Sequence, residues 1–290
     1  MISVVIASKD RENFLRGTLA SLDAQAGAPP FEVIVVDNGS RDGTRNLVED
    51  RAGGNPPVRY VAEPQPNRAK ARNRGVDAAR YDYVAFCDDD VRLPEGWIAA
   101  HAAAQGGASY VVNGPILNVA SPDRRPAPRP VNYSRAYLCS CNASVAKSAF
   151  VVAGGFDESF NLYGWEDTEL GLRLRNMGVP WRFSWDAYLW HIKPPQENTL
   201  AVESAKAVEK ARMARRFVAK HPSLRARLAT GAYGANLARG RYFLPDWLLA
   251  VYAGVATSRR APDWLSALMR RQLLDGIYTR ELARPPHADS

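Results

Sequence analysis

Apolar residues come in short runs through the first ninety positions, with amphipathic stretches between them. Ile2–Ala7 and Phe31–Val36, each interrupted by a single polar residue (Ser3, Glu32), are apolar and rich in β-branched residues, the pattern of strands covered on both faces. Val58–Ala62 and Tyr83–Cys87 are shorter versions. The intervening stretches Asn13–Ala24, Thr44–Asp50 and Arg68–Ala79 carry helical spacing. Alternation of this kind predicts an α/β fold, a mainly parallel central sheet flanked by helices. Pro94–Gln105 reads as a further helix with Pro94 in its first turn, followed by the run Tyr110–Asn118.

A second half follows the stretch Ser121–Pro130, whose prolines and charges exclude a helix or a central strand. It reads as a mobile loop able to order over a ligand. Beyond it the pattern predicts a short strand around Cys139–Ser144, a helix from Lys147 and a turn at Gly154-Gly155. A helix over Glu166–Met177, ended by Gly178 and Pro180, precedes strands at Trp181–Phe183 and Ala187–His191. From Thr199 the composition shifts to Ala, Arg and Leu, with Pro222, Pro245 and Pro262 dividing about four helices. The expected organisation is an α/β domain over 1–199 and a basic helical extension over 200–290.

Charge sharpens that division. The net charge is +8, yet residues 200–290 hold 16 Lys/Arg against 7 Asp/Glu, so the excess lies wholly in the tail. Within it Trp247, Leu248, Leu249, Trp264, Leu265 and Leu268, beside Arg259, Arg260, Arg270 and Arg271, fit helices lying at the inner face of a membrane. Helices that cover the α/β domain or form an oligomer interface fit equally. No apolar stretch approaches the roughly 20 residues of a spanning helix. The opening Met1–Ala7 reads as a first strand and not a signal peptide. Three cysteines, Cys87, Cys139 and Cys141, offer no disulfide framework and imply a reducing, cytoplasmic setting. Cys139 and Cys141 lack a second Cys/His pair and read as buried small residues. Basic patches interleaved with aromatics in a nucleic-acid module are not found.

The candidate chemistry is carboxylate-rich. Asp88-Asp89-Asp90 closes the strand Tyr83–Cys87. Three adjacent carboxylates repel one another unless a hard cation such as Mg²⁺ or Mn²⁺ gathers them, commonly bridging to phosphates. A solvated acidic turn is the plainer alternative. Strand carboxyl ends are also where open α/β sheets bind ligands. Asp37, before Asn38-Gly39, ends the second strand and could hold a ribose or simply form the turn. The dinucleotide reading fails, because Ser8–Asn13 contains no glycine after the first strand. Glu166 and Asp167 open a helix, where its dipole favours negative charge, and Tyr163-Gly164-Trp165 ahead of them suits a sugar ring. His191, just past a strand, fits a metal ligand or a structural histidine. Arg68, Lys70, Arg72 and Arg74 in the opening turns of a helix suit a diphosphate.

Taken in order, Val4–Ser8, Val33–Ser40 with Asp42-Gly43-Thr44, Ala71–Gly75, Phe86–Asp90, Gly154–Asp157 and Trp165–Leu170 resemble the inverting family 2 glycosyltransferases of the GT-A fold. The resemblance spans residues 2 to about 192. It implies a nucleotide-sugar donor, with a UDP-sugar favoured over dTDP- or GDP-sugars, and Mn²⁺ or Mg²⁺ bound at a DXD motif. It implies that Ala7, Ser8, Asp37, Asn38, Arg72, Asp88 and Asp89 hold the donor, and that Asp90 and His191 bind the metal. Asp167 would be the catalytic base, with Glu166 beside it, and Asn142 and Trp165 would shape the acceptor side. The acceptor hydroxyl would belong to a glycan, a lipid carrier or a natural product. Family members often carry glycine near Ala69 and small residues where this chain has Cys139-Ser140-Cys141, two departures that spare the carboxylates. A retaining glycosyltransferase on the same fold and a sugar nucleotidyltransferase remain alternatives, although the latter expects a Gly-rich phosphate loop after the first strand.

Overall fold

The computed structural model describes residues 1–194, 199–258 and 260–284. They form two compact units. The first comprises Met1–Asn161 and Glu166–Pro194, and the second Leu162–Trp165 with the chain from Pro195.

In the first unit, strands β1 (Ile2–Ser8), β2 (Phe31–Asp37), β3 (Val58–Ala62) and β4 (Tyr83–Cys87) lie parallel in the order β3-β2-β1-β4. The short β5 (Val91–Arg92) follows Asp90, and β6 (Val111–Asn113) and β7 (Ile116–Val119) come next. The central sheet is completed by β8 (Asn142–Ala146), antiparallel to β4 and to β6, and by β9 (Trp181–Phe183), parallel to β6. A three-stranded sheet sets β10 (Leu189–Ile192) between β5 and β7.

Period-two alternation makes the apolar runs intelligible. Val5, Ile34 and Val36 face one side of the sheet, where Val76, Phe86, Phe150, Phe156, Leu170 and Leu174 pack. Ile2, Val4, Ile6, Val33 and Val35 face the other, against Leu15, Leu19, Leu22, Leu47 and Ile98. Helices α1 (Glu12–Asp23), α2 (Thr44–Glu49) and α4 (Trp97–Gln105) thus cover one face. The other is covered by α3 (Arg68–Ala78), α5 (Lys147–Val152) and α6 (Glu166–Asn176).

Several boundaries differ from the sequence reading. The Pro94 carbonyl accepts from the Trp97 amide, so Pro94 stands before α4 and not in its first turn. The run Tyr110–Asn118 breaks into β6 and β7 at Gly114-Pro115, because a Cβ on Gly114 would meet the Ala187 carbonyl oxygen at 1.7 Å. The strand expected from Cys139 begins at Asn142. The proline-rich loop is tied to β10, its Pro126 carbonyl accepting from the Trp190 indole at 2.9 Å.

The second unit is helical: α7 (Leu200–Lys220), α8 (Leu224–Thr230), α9 (Gly234–Tyr242), α10 (Asp246–Ala256) and α11 (Asp263–Leu282). Among the described residues five helices stand where four were expected, because Gly231 at φ 76° ends α8 where no proline marks the sequence. Thr199 and Ser223 cap α7 and α8 by accepting from the Val202 and Ala226 amides. Ala211 and Ala214 pack with Leu282, and Arg212 pairs with Glu281 at 3.0 Å. Among the described residues no helix is long and apolar enough to cross a membrane.

Candidate active site

The site of the first unit is assembled where β1 and β4 diverge, the point at which strand order reverses and open sheets leave a crevice. Ser8 at the end of β1 donates to Asp89 Oδ2 across that crevice at 2.7 Å. Thr18 of α1 donates to the Asp89 carbonyl, fixing the turn after β4. Burial raises the Asp89 carboxyl to about 7, against the opposing pull of Arg11 and Ser8. With Arg11 Nε 3.5 Å from it and 7% of its surface exposed, Asp89 braces the turn and offers little to a donor.

Its neighbours face elsewhere. Asp90 Oδ2 accepts from Arg11 Nη2 at 3.0 Å, while its Oδ1 lies 3.0 Å from His191 Nε2 on β10. Antiparallel pairing of β10 with β5 sets His191 opposite Val91, just beyond the aspartates. On the ring's other side Nδ1 is 3.7 Å from Cys141 Sγ. Asp88, Cys141 and His191 each bring one ligand atom within 4.8 Å of the other two. Asp90, expected as a metal ligand, thus lies beside Arg11 and His191, and it is Asp88 whose carboxylate oxygen converges with Cys141 and His191.

Asp88 connects this end of the site to the other. Arg72 of α3 is 9% exposed, with Nη2 3.3 Å from Asp88 Oδ1 and Nη1 3.5 Å from Glu166 Oε1. Burial alone would disfavour its charge, but Asp167, Asp88 and Glu166 raise its pKa and hold it as a guanidinium. Burial likewise disfavours the Asp88 carboxylate, but Arg72 and His191 outweigh it and keep the pKa low. Arg68, at the start of α3, adds to the charge that keeps Asp88 ionised, but Lys70 and Arg74 do not share this role. Lys70 and Arg74 lie 3.2 and 3.4 Å from Glu63, a carboxylate with no exposed surface, so their charge is spent on the fold.

Glu166 and Asp167 open α6, where the helix N-terminus accommodates both carboxylates. Asp167 Oδ2 accepts from the Ser140 amide at 2.9 Å. Its Oδ1 and Glu166 Oε2 are buried and have no hydrogen-bond partner among the described residues. Burial raises the Asp167 carboxyl to about 6, Glu166 adding to the rise and Arg72 opposing it. Asp90 Oδ1, which lies beside His191, likewise has no hydrogen bond among the described residues; buried carboxylate oxygens without such partners are costly, and a site that keeps them is shaped for groups that arrive with a ligand.

At the end of β2, Asp37 accepts from the Ser40 amide and the Tyr60 hydroxyl, each at 2.8 Å. Burial first, then Asp37, raises the Tyr60 hydroxyl to about 12. Asn38 Oδ1 accepts from the Asn67 amide at 2.8 Å, joining β2 to the start of α3, and Ala7 is partly buried.

The side chains of two expected residues, Asn142 and Trp165, have other partners. Asn142 has no exposed surface, and all four of its hydrogen-bonding positions are used. Its Oδ1 accepts from Trp97 Nε1 and pairs with His101 Nε2, while its Nδ2 donates to the Pro115 and Ala187 carbonyls. Its side chain links β8 to α4 and to the Pro115 and Ala187 carbonyls within the core. Trp165 belongs to the second unit, where it stacks on Phe217 and its indole donates to the Lys210 carbonyl at 3.0 Å. There it lines a cavity of about 1180 Å³ between the helices. Conversely, Arg11, Ser140 and Cys141 were not singled out from the sequence as site residues. Arg11 was signalled only as a basic residue at the exit of β1, and the other two needed the fold.

The chain matches the model for glycosyl transferase family 2 over residues 3–152. It is 30% identical to the validoxylamine A glucosyltransferase of Streptomyces hygroscopicus subsp. limoneus, covering 99% of this chain and 68% of that one. It is 26% identical to the chondroitin synthase of Pasteurella multocida (strain Pm70), over 71% of this chain and 26% of that enzyme. The fold is similar to that of a mannosyltransferase from Pyrobaculum calidifontis in complex with GDP-Man and Mn²⁺. That match has a TM-score of 0.65 at 18% identity, covering 97% of this chain and 85% of that one. S. aureus TarS in complex with UDP-GlcNAc gives 0.59 at 18%, with 97% and 90% covered. Family match, relatives and fold agree: the chain belongs to glycosyltransferase family 2 and is a glycosyltransferase of the GT-A fold.

Proposed function

We propose that the protein transfers a hexosyl group from a nucleoside diphosphate sugar to an acceptor hydroxyl, with inversion at the anomeric carbon, divalent-metal dependence and Asp167 as general base. The observation that carries this reading is the unpartnered, buried Asp167 Oδ1 beside Glu166 and Arg72. The Ser140 amide holds Oδ2, which leaves Oδ1 to take the proton of an entering alcohol. A hydroxyl is a poor nucleophile at neutral pH, and a carboxylate with a raised pKa is a stronger base that is still mostly ionised there. Glu166 Oε2 is available to a second hydroxyl. Arg72, held charged between Asp88 and Glu166, places positive charge where a diphosphate would leave.

The residues at the Asp88–His191 end fit a divalent cation, since oxygen, nitrogen and sulfur donors converge there from separate elements. When bound, such an ion neutralises a leaving diphosphate as a Lewis acid. Asp88 and His191 would hold it, with Asp90 orienting His191. The crevice beside Ser8, Asp37 and Asn38 would take the nucleoside, and the nucleotide sugars in the two neighbouring structures support a UDP- or GDP-linked donor. The validoxylamine-glycosylating relatives favour a small hydroxylated natural product as acceptor over a glycan or lipid carrier.

The test is a donor screen with Mn²⁺, followed by the anomeric configuration of the product by NMR. Inversion is expected, and retention would replace this mechanism with the retaining alternative.

Peripheral contact with an anionic membrane is proposed for the second unit. Tyr242, Phe243, Trp247 and Trp264 are each about two-thirds exposed around α10 and α11. Of the arginines in that reading, Arg259 lies outside the described residues.

A further inference from the structure

Three unlike donor atoms meet in the first unit from the end of β4, the approach to β8 and the middle of β10: Asp88, Cys141 and His191, all within 4.8 Å of one another. Cys141 Sγ is 3.7 Å from His191 Nδ1. Zinc–sulfur bonds of about 2.3 Å and zinc–nitrogen bonds of about 2.0–2.1 Å, opened to a tetrahedral angle, put the two atoms about 3.6 Å apart. Sulfur and nitrogen are thus already spaced to share one ion. The other ring nitrogen, Nε2, lies 3.0 Å from Asp90 Oδ1, the carboxylate–histidine pairing that fixes a ligand ring and aims its free nitrogen at a metal. Asp90 is fixed in turn by Arg11.

We propose that Asp88, Cys141 and His191 form a binding site for a thiophilic divalent cation such as Zn²⁺ or Co²⁺, with Asp90 as the positioning residue for His191. Soft thiolate ligation selects zinc and cobalt over magnesium and manganese, which favour oxygen. On binding, the sulfur–hydrogen bond breaks, the sulfur–metal bond forms and the proton leaves to solvent; no oxidant or reductant takes part. Three protein ligands leave a fourth position open. An ion held this way engages Asp88 and His191, so Zn²⁺ competes with Mn²⁺ for the transferase site. The inference rests on reading this end of the crevice as the cation site, and its test measures metal binding with no donor or acceptor present.

Co²⁺ titrated into the full-length protein is expected to produce a near-ultraviolet thiolate-to-cobalt charge-transfer band, which Zn²⁺ abolishes in stoichiometric amount. Cys141→Ser should lose the band and Cys139→Ser should keep it. Zn²⁺ affinity, measured by chelator competition, should fall about tenfold or more in Cys141→Ser, whereas Mn²⁺ affinity from electron paramagnetic resonance should not follow it. Absence of the band from the wild-type protein, which requires no variant to fold, overturns the proposal. So does a band that survives Cys141→Ser. A band without glycosyl transfer would defeat only the transferase mechanism, and transfer without a band would defeat only the thiolate site.

Discussion

Asp167 and Arg72 are where the proposed mechanism is most exposed to test. Asp167 is pushed upward by burial and by Glu166, while Arg72 and then the Ser140 hydrogen bonds pull the other way. A general base works deprotonated, so transfer should fall as pH drops through about 6, well above the ordinary carboxylate range. A pH–rate profile whose acid limb lay near 4 would contradict the assignment. Replacing Arg72 by Leu removes the opposing charge, and the limb should move to higher pH while turnover drops. Asp167→Asn should retain donor binding, followed by thermal shift, and lose about 10²–10⁴ in kcat. Wild-type turnover in that variant would remove Asp167 from the mechanism. The acidic triplet, by contrast, divides its labour: Asp89 braces a turn, Asp90 holds His191 and Asp88 faces Arg72. Identity and spacing could not distinguish these three, because each role depends on residues about 16 to 101 positions away.

At the scale of elements, the strand–helix alternation of the first ninety residues could be read closely because β1 and β2 are largely apolar on both faces and α1 has one apolar stripe. Element ends beyond Tyr110 were harder. Gly114 is needed for close approach to β10's approach segment, and nothing local to it announces that contact. Asn142 is the instructive case. In sequence it lies at the start of a motif-bearing strand. In the fold it joins Trp97 and His101 of α4 to the Pro115 and Ala187 carbonyls. Burial lowers the His101 imidazole to about 4, so this link is neutral and does not titrate near neutrality. Asn142→Ala should cost about 1–3 kcal/mol for each buried polar group it strands, seen as a lower urea midpoint with an unchanged m-value. Intact stability with a specific rise in the acceptor KM would instead restore Asn142 to the acceptor site.

Across the whole molecule, the charge asymmetry follows the division into units: the α/β unit is nearly neutral and the helical unit carries the excess. The exposed aromatics of the helical unit give the membrane reading a direct test. Full-length protein should co-float with anionic vesicles at low salt, and flotation should weaken as salt screens its arginines. Replacing Trp247 and Trp264 together by Ser should abolish it. No flotation on anionic lipid at low salt would end that reading and leave the helices as structural cover or an oligomer surface.

Sequence alone determined the α/β class and the family, and it singled out the carboxylates to examine, because hydrophobic period and short motifs are local properties written residue by residue. Only the tertiary structure decided which carboxylate is buried without a partner, which is consumed by an arginine, and that a cysteine faces His191. Burial and partnership are set by segments distant along the chain, and they govern both the charge a group carries and the atoms it can still offer to a ligand.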